Sequence, residues 1–97
     1  MLVDDPADTF LRYSLALELE KEGQHDRSLA GLAGLMADPT PYVPAFFMAA
    51  QQLVRLKRLA EARAALRDGI DEARRQGNSH AAGEMAEFLA SIGSLGE

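Results

Sequence analysis

The chain has 97 residues, of which 47% are apolar and 26% are charged, and it contains no cysteine and no tryptophan. This composition is typical of one folded domain, and the lack of cysteine excludes disulfides, thiolate metal sites and cysteine nucleophiles. The net charge of −5 argues against nucleic acid as a partner, because that binding rests on neutralising phosphates. The N-terminus lacks a signal-peptide pattern, and the longest apolar stretch, residues 43–50, is too short to cross a membrane. We therefore expect a cytoplasmic protein that does not contact a membrane.

Turn-forming and capping residues divide the chain into five predicted helices. Asp5 and Pro6 favour the start of the first helix, and Gly23 follows its end. Gly77 and Gly93 follow the fourth and fifth helices in the same way. No segment alternates with period two, so no strand is predicted. The predicted helices cover about 6–22, 26–37, 43–56, 59–76 and 80–92, and Asn78 and Ser79 cap the last of them.

The first and third helices are apolar on two sides. In the first, Leu11, Leu15 and Leu19 recur at i, i+4 and i+8, and a second apolar stripe lies more than a quarter-turn away. A helix with two apolar sides contacts neighbours on both, or presents one side to a binding partner. The fourth and fifth helices have one apolar side each. The second stripe comprises Phe10, Tyr13 and Leu17 on the first helix, and Phe47, Met48 and Val54 on the third.

The chain contains an internal repeat, in which 9–42 align with 43–76. The identical pairs are Ala16 with Ala50, Leu19 with Leu53, Ala30 with Ala64, and Leu32 with Leu66. Each pair falls at a packing position, and the helix–turn–helix boundaries repeat with the same period. Because one helical hairpin cannot bury its apolar face alone, we expect the two hairpins to stack and the last helix to cover the end.

A helix–turn–helix repeat with a period of about 34 residues resembles the tetratricopeptide repeat (TPR) family. Residues 9–42 and 43–76 look like two repeats, and the fifth helix, about 79–92, looks like a cap that fits the pattern with one residue inserted near Gly77. Lys57 departs from the turn glycine of the family, and Gly69 stands where a small apolar residue is more usual. The resemblance implies one all-α domain, a right-handed superhelix of two antiparallel hairpins plus a capping helix.

The same resemblance implies a function for the second stripe. In TPR proteins the first helix of each repeat lines a concave groove that holds a peptide or helix of a partner, which implies a non-enzymatic interaction module with an unidentified protein or peptide partner. Tyr13, Leu17 and Met48 stand where some members clamp a terminal carboxylate with polar groups, so we expect an apolar ligand. The candidate binding residues are Phe10, Tyr13, Leu17, Phe47, Met48, Gln51 and Val54.

Two alternatives remain open for this stripe. The fifth helix of the chain itself could fill part of it, which would leave less surface for a foreign ligand. The stripe could also form the interface of a homodimer or larger homo-oligomer, in which case the chain would be a structural scaffold.

A second candidate surface lies on the second helix. Ala30, Gly31 and Gly34 form a small-residue face, and each glycine costs the helix roughly 0.5–1 kcal/mol relative to alanine. Close approach of another helix, including one from a second copy, would explain this face. The alternative is that a well-packed hairpin tolerates the glycines.

No residue pattern indicates catalysis, a metal site or a cofactor. Glu18, Glu20 and Glu22 are interpreted as a solvated acidic rim rather than an acid–base pair. His25 and His80 lie far apart in the sequence and are interpreted as surface or capping residues.

The basic residues cluster in the middle of the chain. Arg63, Arg67 and Arg74 share one side of the fourth helix, but no aromatic residue accompanies them, and we interpret this side as solvated, with Asp71 pairing with Arg75. By segment, the net charge is −5 for residues 1–42, +3 for residues 43–76 and −3 for residues 77–97. This alternation of acidic and basic segments favours head-to-tail or side-by-side self-association over nucleic-acid binding.

Overall fold

The computed structural model describes residues 6–93, and that range folds into five α-helices without a strand. The helices are α1 (Pro6–Lys21), α2 (His25–Met36), α3 (Val43–Arg55), α4 (Leu59–Arg75) and α5 (Ser79–Ile92). Each helix packs against the next one along the chain, and α3 also contacts α5. The all-α architecture predicted from the sequence is confirmed. None of the helices in this range is long and apolar enough to cross a membrane.

The helix starts follow the residues that favour them. α1 starts at Pro6, and the predicted cap Asp5 lies outside the described residues. α3 has Pro44 in its first turn, where the missing N–H is not needed. Asn78 caps α5, because its side-chain Oδ1 accepts a hydrogen bond from the backbone N–H of Ala81 at 3.1 Å.

Three of the connections share one backbone geometry. Gly23, Lys57 and Gly77 have φ values of 79°, 64° and 76°, which is the left-handed region. In each turn the following residue donates its N–H to a carbonyl five residues earlier, which satisfies helix-end carbonyls as in a Schellman motif. These bonds are Gln24 N to Leu19 O at 2.9 Å, Arg58 N to Leu53 O at 2.8 Å, and Asn78 N to Ala73 O at 2.7 Å. Lys57 therefore occupies the backbone conformation that glycine adopts in the other two turns.

The buried core is larger at the C-terminal end of the stack. Its larger cluster joins α3, α4 and α5 and includes the fully buried Leu66 and Met85. A smaller cluster joins α1, α2 and α3 and includes Leu32 and Leu35, which are also fully buried. α1 contributes one residue, Ala16, to the buried apolar residues of the described range. The first helix is therefore held by less apolar burial than the helices that follow it.

A buried polar chain links the two hairpins. Ser28 of α2 donates its hydroxyl to the backbone carbonyl of Ala16 at 2.6 Å, and Gln52 of α3 donates its amide N–H to the Ser28 hydroxyl at 3.1 Å. The Gln52 Oε1 is buried and has no hydrogen-bond partner within the described residues. The chain of bonds fixes the register of α1, α2 and α3 relative to one another.

Gly69 allows three helices to meet closely. A Cβ placed on Gly69 of α4 would lie 2.6 Å from Cβ of Phe46 and 2.7 Å from Sδ of Met85. Both distances are far below van der Waals contact, so α3 and α5 approach α4 at a point where no side chain fits. This explains why glycine replaces the small apolar residue usual at this position.

The ion pairs on α4 differ from the sequence-based prediction. Arg75 was expected to pair with Asp71, but its guanidinium contacts Glu72 instead. Glu72 also accepts a hydrogen bond from the Gln76 side chain at 2.9 Å, and Gln76 donates to the carbonyl of Pro41 at 2.8 Å. The prediction was wrong because helical spacing allows both i, i+3 and i, i+4 partners, and Glu72 lies nearer the buried side of the helix.

Candidate functional site

α1, α3 and α5 border a cavity of about 180 Å³ on one side of the stack. Tyr13 lines it from α1, Phe47 and Met48 line it from α3, and Ala81 and Met85 line it from α5. The remaining lining residues are Val43, Pro44, Gln51, Asn78 and Glu84. We call this cavity the groove. Apolar side chains dominate it, and Tyr13 and Gln51 add a hydroxyl and an amide.

The groove carries little charge. Among the described residues that line it, Glu84 is the only one with an acidic or basic side chain, and its carboxylate lies 3.3 Å from Nε2 of His80. Burial raises the pKa of Tyr13 above its ordinary value of 10.0, and the neighbouring Tyr42 raises this pKa further. The rings of Tyr13 and Tyr42 meet edge to face with centroids 5.2 Å apart. At neutral pH the Tyr13 wall of the groove is therefore uncharged, which suits an apolar ligand.

The structure places four of the seven candidate binding residues in the groove. Those four are Tyr13, Phe47, Met48 and Gln51. Leu17 is half-buried on α1 and does not line this cavity, and Val54 packs against the larger core. Phe10 retains 60% of its surface exposed and lies outside the groove.

α5 both covers part of the apolar stripe and builds a wall of the groove. The rings of Phe47 and Phe88 pack with centroids 5.5 Å apart, so one side of Phe47 is in contact with α5. The rest of the stripe borders the cavity between α1 and α5. The chain therefore fills part of the stripe with its own fifth helix and leaves the middle of it open.

Two solved structures, both of a tetratricopeptide repeat domain protein from Salinibacter ruber, are similar to this chain. The crystal structure is 30% identical in sequence, and the match covers 90% of this chain and 97% of that one with a TM-score of 0.78. The solution NMR structure is 31% identical, and the match covers 95% of this chain and 93% of that one with a TM-score of 0.84. The chain belongs to the tetratricopeptide repeat family. No family model matches the sequence, and no curated protein matches it.

Sequence reasoning missed the TPR groove residues that α5 contributes. It treated α5 as a cap displaced by an insertion, yet the groove positions on α5 keep the period of the two repeats. Ala81 follows Phe47 by the same interval that separates Phe47 from Tyr13, and Met85 follows Gln51 by that interval as well. Extending the TPR period without an insertion would have identified both residues.

The small-residue face of α2 lies partly against α1 of the same chain. A Cβ on Gly31 would lie 3.6 Å from Cβ of Ala16, and a Cβ on Gly34 would lie 3.4 Å from a guanidinium nitrogen of Arg12. Arg12 is held there by a bidentate contact with Asp38, at 2.9 and 3.3 Å. Ala30 is exposed. Both distances are ordinary van der Waals contacts and both glycines are exposed, so a methyl group would fit at either position and packing against α1 does not require glycine there.

The described range of this TPR domain holds no cluster of three His, Asp or Glu side chains arranged for a metal ion. His25 begins α2, and its Nδ1 is buried without a hydrogen-bond partner among the described residues. His80 lies in the first turn of α5, beside Glu84. The two histidines thus lie on different helices and have no common neighbour in the contacts described above.

Proposed function

We propose that this chain is a non-enzymatic interaction module that holds an apolar peptide or helix of a partner protein in the groove. Its TPR-domain neighbours suggest a protein-interaction module. The observation that carries the proposal is that Tyr13, Phe47, Met48 and Gln51 border one open cavity between α1 and α5. Aromatic side chains at the centre of a concave surface supply most of the binding free energy in such contacts.

The lining favours one class of ligand. The floor of Phe47 and Met48 would bury apolar side chains, and methionine adapts its shape to irregular partners. The hydroxyl of Tyr13 and the amide of Gln51 would hydrogen-bond backbone groups of the ligand. A ligand with two or three apolar side chains on one face, either helical or extended, fits these groups better than a charged tail.

A blocking substitution tests this proposal. Gln51→Arg places a long cationic side chain in the groove, and the stem of arginine can lie along apolar lining while its charge reaches water. Arginine and glutamine have similar helix propensities, so the fold should persist. Ala64→Arg is the matched control, because Ala64 is exposed and lines a different depression between α2 and α4. Phe47→Ala is less suitable, since it would also remove the contact with Phe88.

The probe is a displayed library of random peptides selected on the wild-type chain. We expect the selected peptides to be rich in apolar residues and to bind Gln51→Arg at least about tenfold more weakly, or about 1.4 kcal/mol, in fluorescence anisotropy. Ala64→Arg should bind them as the wild type does. Equal binding to the groove variant and the control would contradict the proposal. If Gln51→Arg instead lowered the mass of the protein in solution, a second copy would be the occupant of the groove.

A further inference from the structure

The outer side of α1 exposes the largest uncovered apolar side chains of the described range. Leu11 and Leu15 are 65% and 61% exposed, and Phe10 beside them is 60% exposed. Leu11 and Leu15 lie one turn apart on α1, on the side away from the buried Ala16. Single exposed leucines are ordinary, but adjacent ones on the terminal helix of a stack form an unpartnered apolar ridge.

Acidic side chains border this ridge. Asp8 and Glu18 are exposed, and their spacing from Leu11 and Leu15 puts all four on one side of α1. Glu22 is exposed in the turn that directly follows α1. Lys21 in the last turn of α1 is an exposed cation three residues after Glu18, and the guanidinium of Arg27 on α2 donates to the side chain of Gln24 at 2.7 Å. The N-terminal end of the stack is therefore an apolar ridge bordered by three carboxylates and one lysine.

The opposite end of the stack has the complementary shape. α4 and α5 border a shallow depression of about 340 Å³. Small residues line most of it: Gly77, Ser79, Ala82, Gly83 and Ala86. A Cβ on Gly83 would meet no atom within 4 Å, so the depression is open at that point. We call it the end depression.

The charge on the α4 side of the end depression is also complementary. Arg74 lines it, and the exposed Arg67 lies two turns earlier on the same side of α4. The exposed Asp71 lies between these two arginines in the sequence and lines a separate depression toward α2. Glu87 of α5 is exposed and lies one turn after Gly83, so a carboxylate borders the outer α5 side of the depression. The end depression is therefore apolar, lined by small side chains and basic on its α4 rim.

We propose that copies of this chain associate head to tail, with the Leu11 and Leu15 ridge of one copy seated in the end depression of the next. Glu18 and Glu22 of the first copy would then lie beside Arg67 and Arg74 of the second. A symmetric contact between two α1 helices is disfavoured, because it brings carboxylates of the same sign together. The incoming α1 takes the place that a further helix would have in a longer stack.

The contact joins unlike surfaces, so each added copy leaves both kinds of end available. Such a heterologous contact builds open chains rather than closed dimers unless the rotation closes a ring. It does not use the groove, so Gln51→Arg should associate as the wild type does. The proposal therefore stands or falls independently of the proposed peptide binding.

Two variants, each blocked at one end, test the proposal. The double variant Leu11→Gln/Leu15→Gln removes the apolar ridge with neutral, helix-compatible side chains. Gly83→Glu fills the end depression and places a carboxylate opposite Glu18 and Glu22. The control Ala33→Glu adds the same side chain to an exposed site on α2. All four proteins, including the wild type, are compared by sedimentation equilibrium over a roughly hundredfold concentration range.

We expect the average mass of the wild type and of Ala33→Glu to rise with concentration beyond that of a dimer. Each end-blocked variant should stay monomeric alone, and an equimolar mixture of the two should form a dimer, because one intact ridge meets one intact depression. A wild type that stays monomeric throughout would overturn the proposal. So would a mixture that stays monomeric, or a Gly83→Glu variant that still dimerises through its own α1.

Discussion

Lys57 adopts a left-handed backbone conformation at the turn between α3 and α4, with a φ of 64°. For a residue with a Cβ this conformation is less favourable by roughly 1–2 kcal/mol, and glycine removes that strain. Glycine also makes the unfolded chain more flexible, which cancels about 0.5–1 kcal/mol of the gain. We expect Lys57→Gly to raise the free energy of unfolding by up to about 1 kcal/mol in urea denaturation.

The control for this change introduces glycine at a right-handed site. Ala64→Gly lies in the exposed interior of α4 and should lower the free energy of unfolding by about 1 kcal/mol. If Lys57→Gly were as destabilising as Ala64→Gly, the strain assigned to the turn would be wrong.

Gly69 and Gly83 give opposite outcomes for the same substitution. A methyl group on Gly69 would overlap Phe46 and Met85, and only the Met85 side chain has a flexible end that can move away. We expect Gly69→Ala to lower the free energy of unfolding by about 1–3 kcal/mol, despite the better helix propensity of alanine. Gly83→Ala meets open space and should raise it by about 0.5–1 kcal/mol. Equal effects at the two sites would show that α3 and α5 do not approach α4 so closely.

At the scale of the element, α5 is both a cover for the core and a wall of the groove. Met85 and Ile92 are buried, and Phe88 and Leu89 pack against the same cluster. Truncation after Gly77 would remove these contacts and uncover Leu66 and Ile70 on α4. We expect the 1–77 fragment to lose more helicity than the deleted residues account for, and to melt at a lower temperature, in circular dichroism.

The truncation removes both the packing of α5 and part of the chain, and a point substitution in α5 tests the packing alone. Met85→Ala should destabilise the full chain by about 2–5 kcal/mol, as large-to-small changes at buried sites do. Leu15→Ala at an exposed site of α1 should change it by less than about 0.5 kcal/mol. A 1–77 fragment that kept the helicity per residue and the melting midpoint of the full chain would refute the covering role of α5.

At the scale of the whole molecule, most of the fold was predicted from the 34-residue repeat period. Identical residues at packing positions, such as Ala16 and Ala50, fixed the helix–turn–helix units because small residues are needed where helices meet. Apolar periodicity then located Tyr13 and Phe47. The same periodicity wrongly suggested that Phe10 lies in the groove, because it identifies the apolar sides of a helix but not which side has a neighbour. No helix precedes α1 in the described range, so Phe10 stays exposed. Predicting the groove residues of α5 required a choice between aligning α5 with the 34-residue period directly and aligning it with one inserted residue. The short final helix has too few packing positions to decide between these two alignments.

The distribution of buried surface predicts a gradient of local stability along the stack. In a linear array each helix is held by its neighbours alone, so parts of the molecule open separately. α1 contributes Ala16 alone to the buried apolar residues of the described range, whereas α3 and α4 share the larger core. We expect amide hydrogens of α1 to exchange at least about tenfold faster than those of α3 and α4, a difference of about 1.4 kcal/mol in opening free energy.

Native-state hydrogen exchange followed by NMR measures this gradient residue by residue. Low protein concentration is needed, because a second copy seated against Leu11 and Leu15 would protect α1. Ala16→Gly should speed exchange in α1 and in the part of α2 that packs on it, because it weakens α1 at its one fully buried contact. Exchange in α4 should change little. If Ala16→Gly sped exchange equally in all five helices, the molecule would open as one cooperative unit, and the smaller N-terminal core would be as essential to the fold as the larger one.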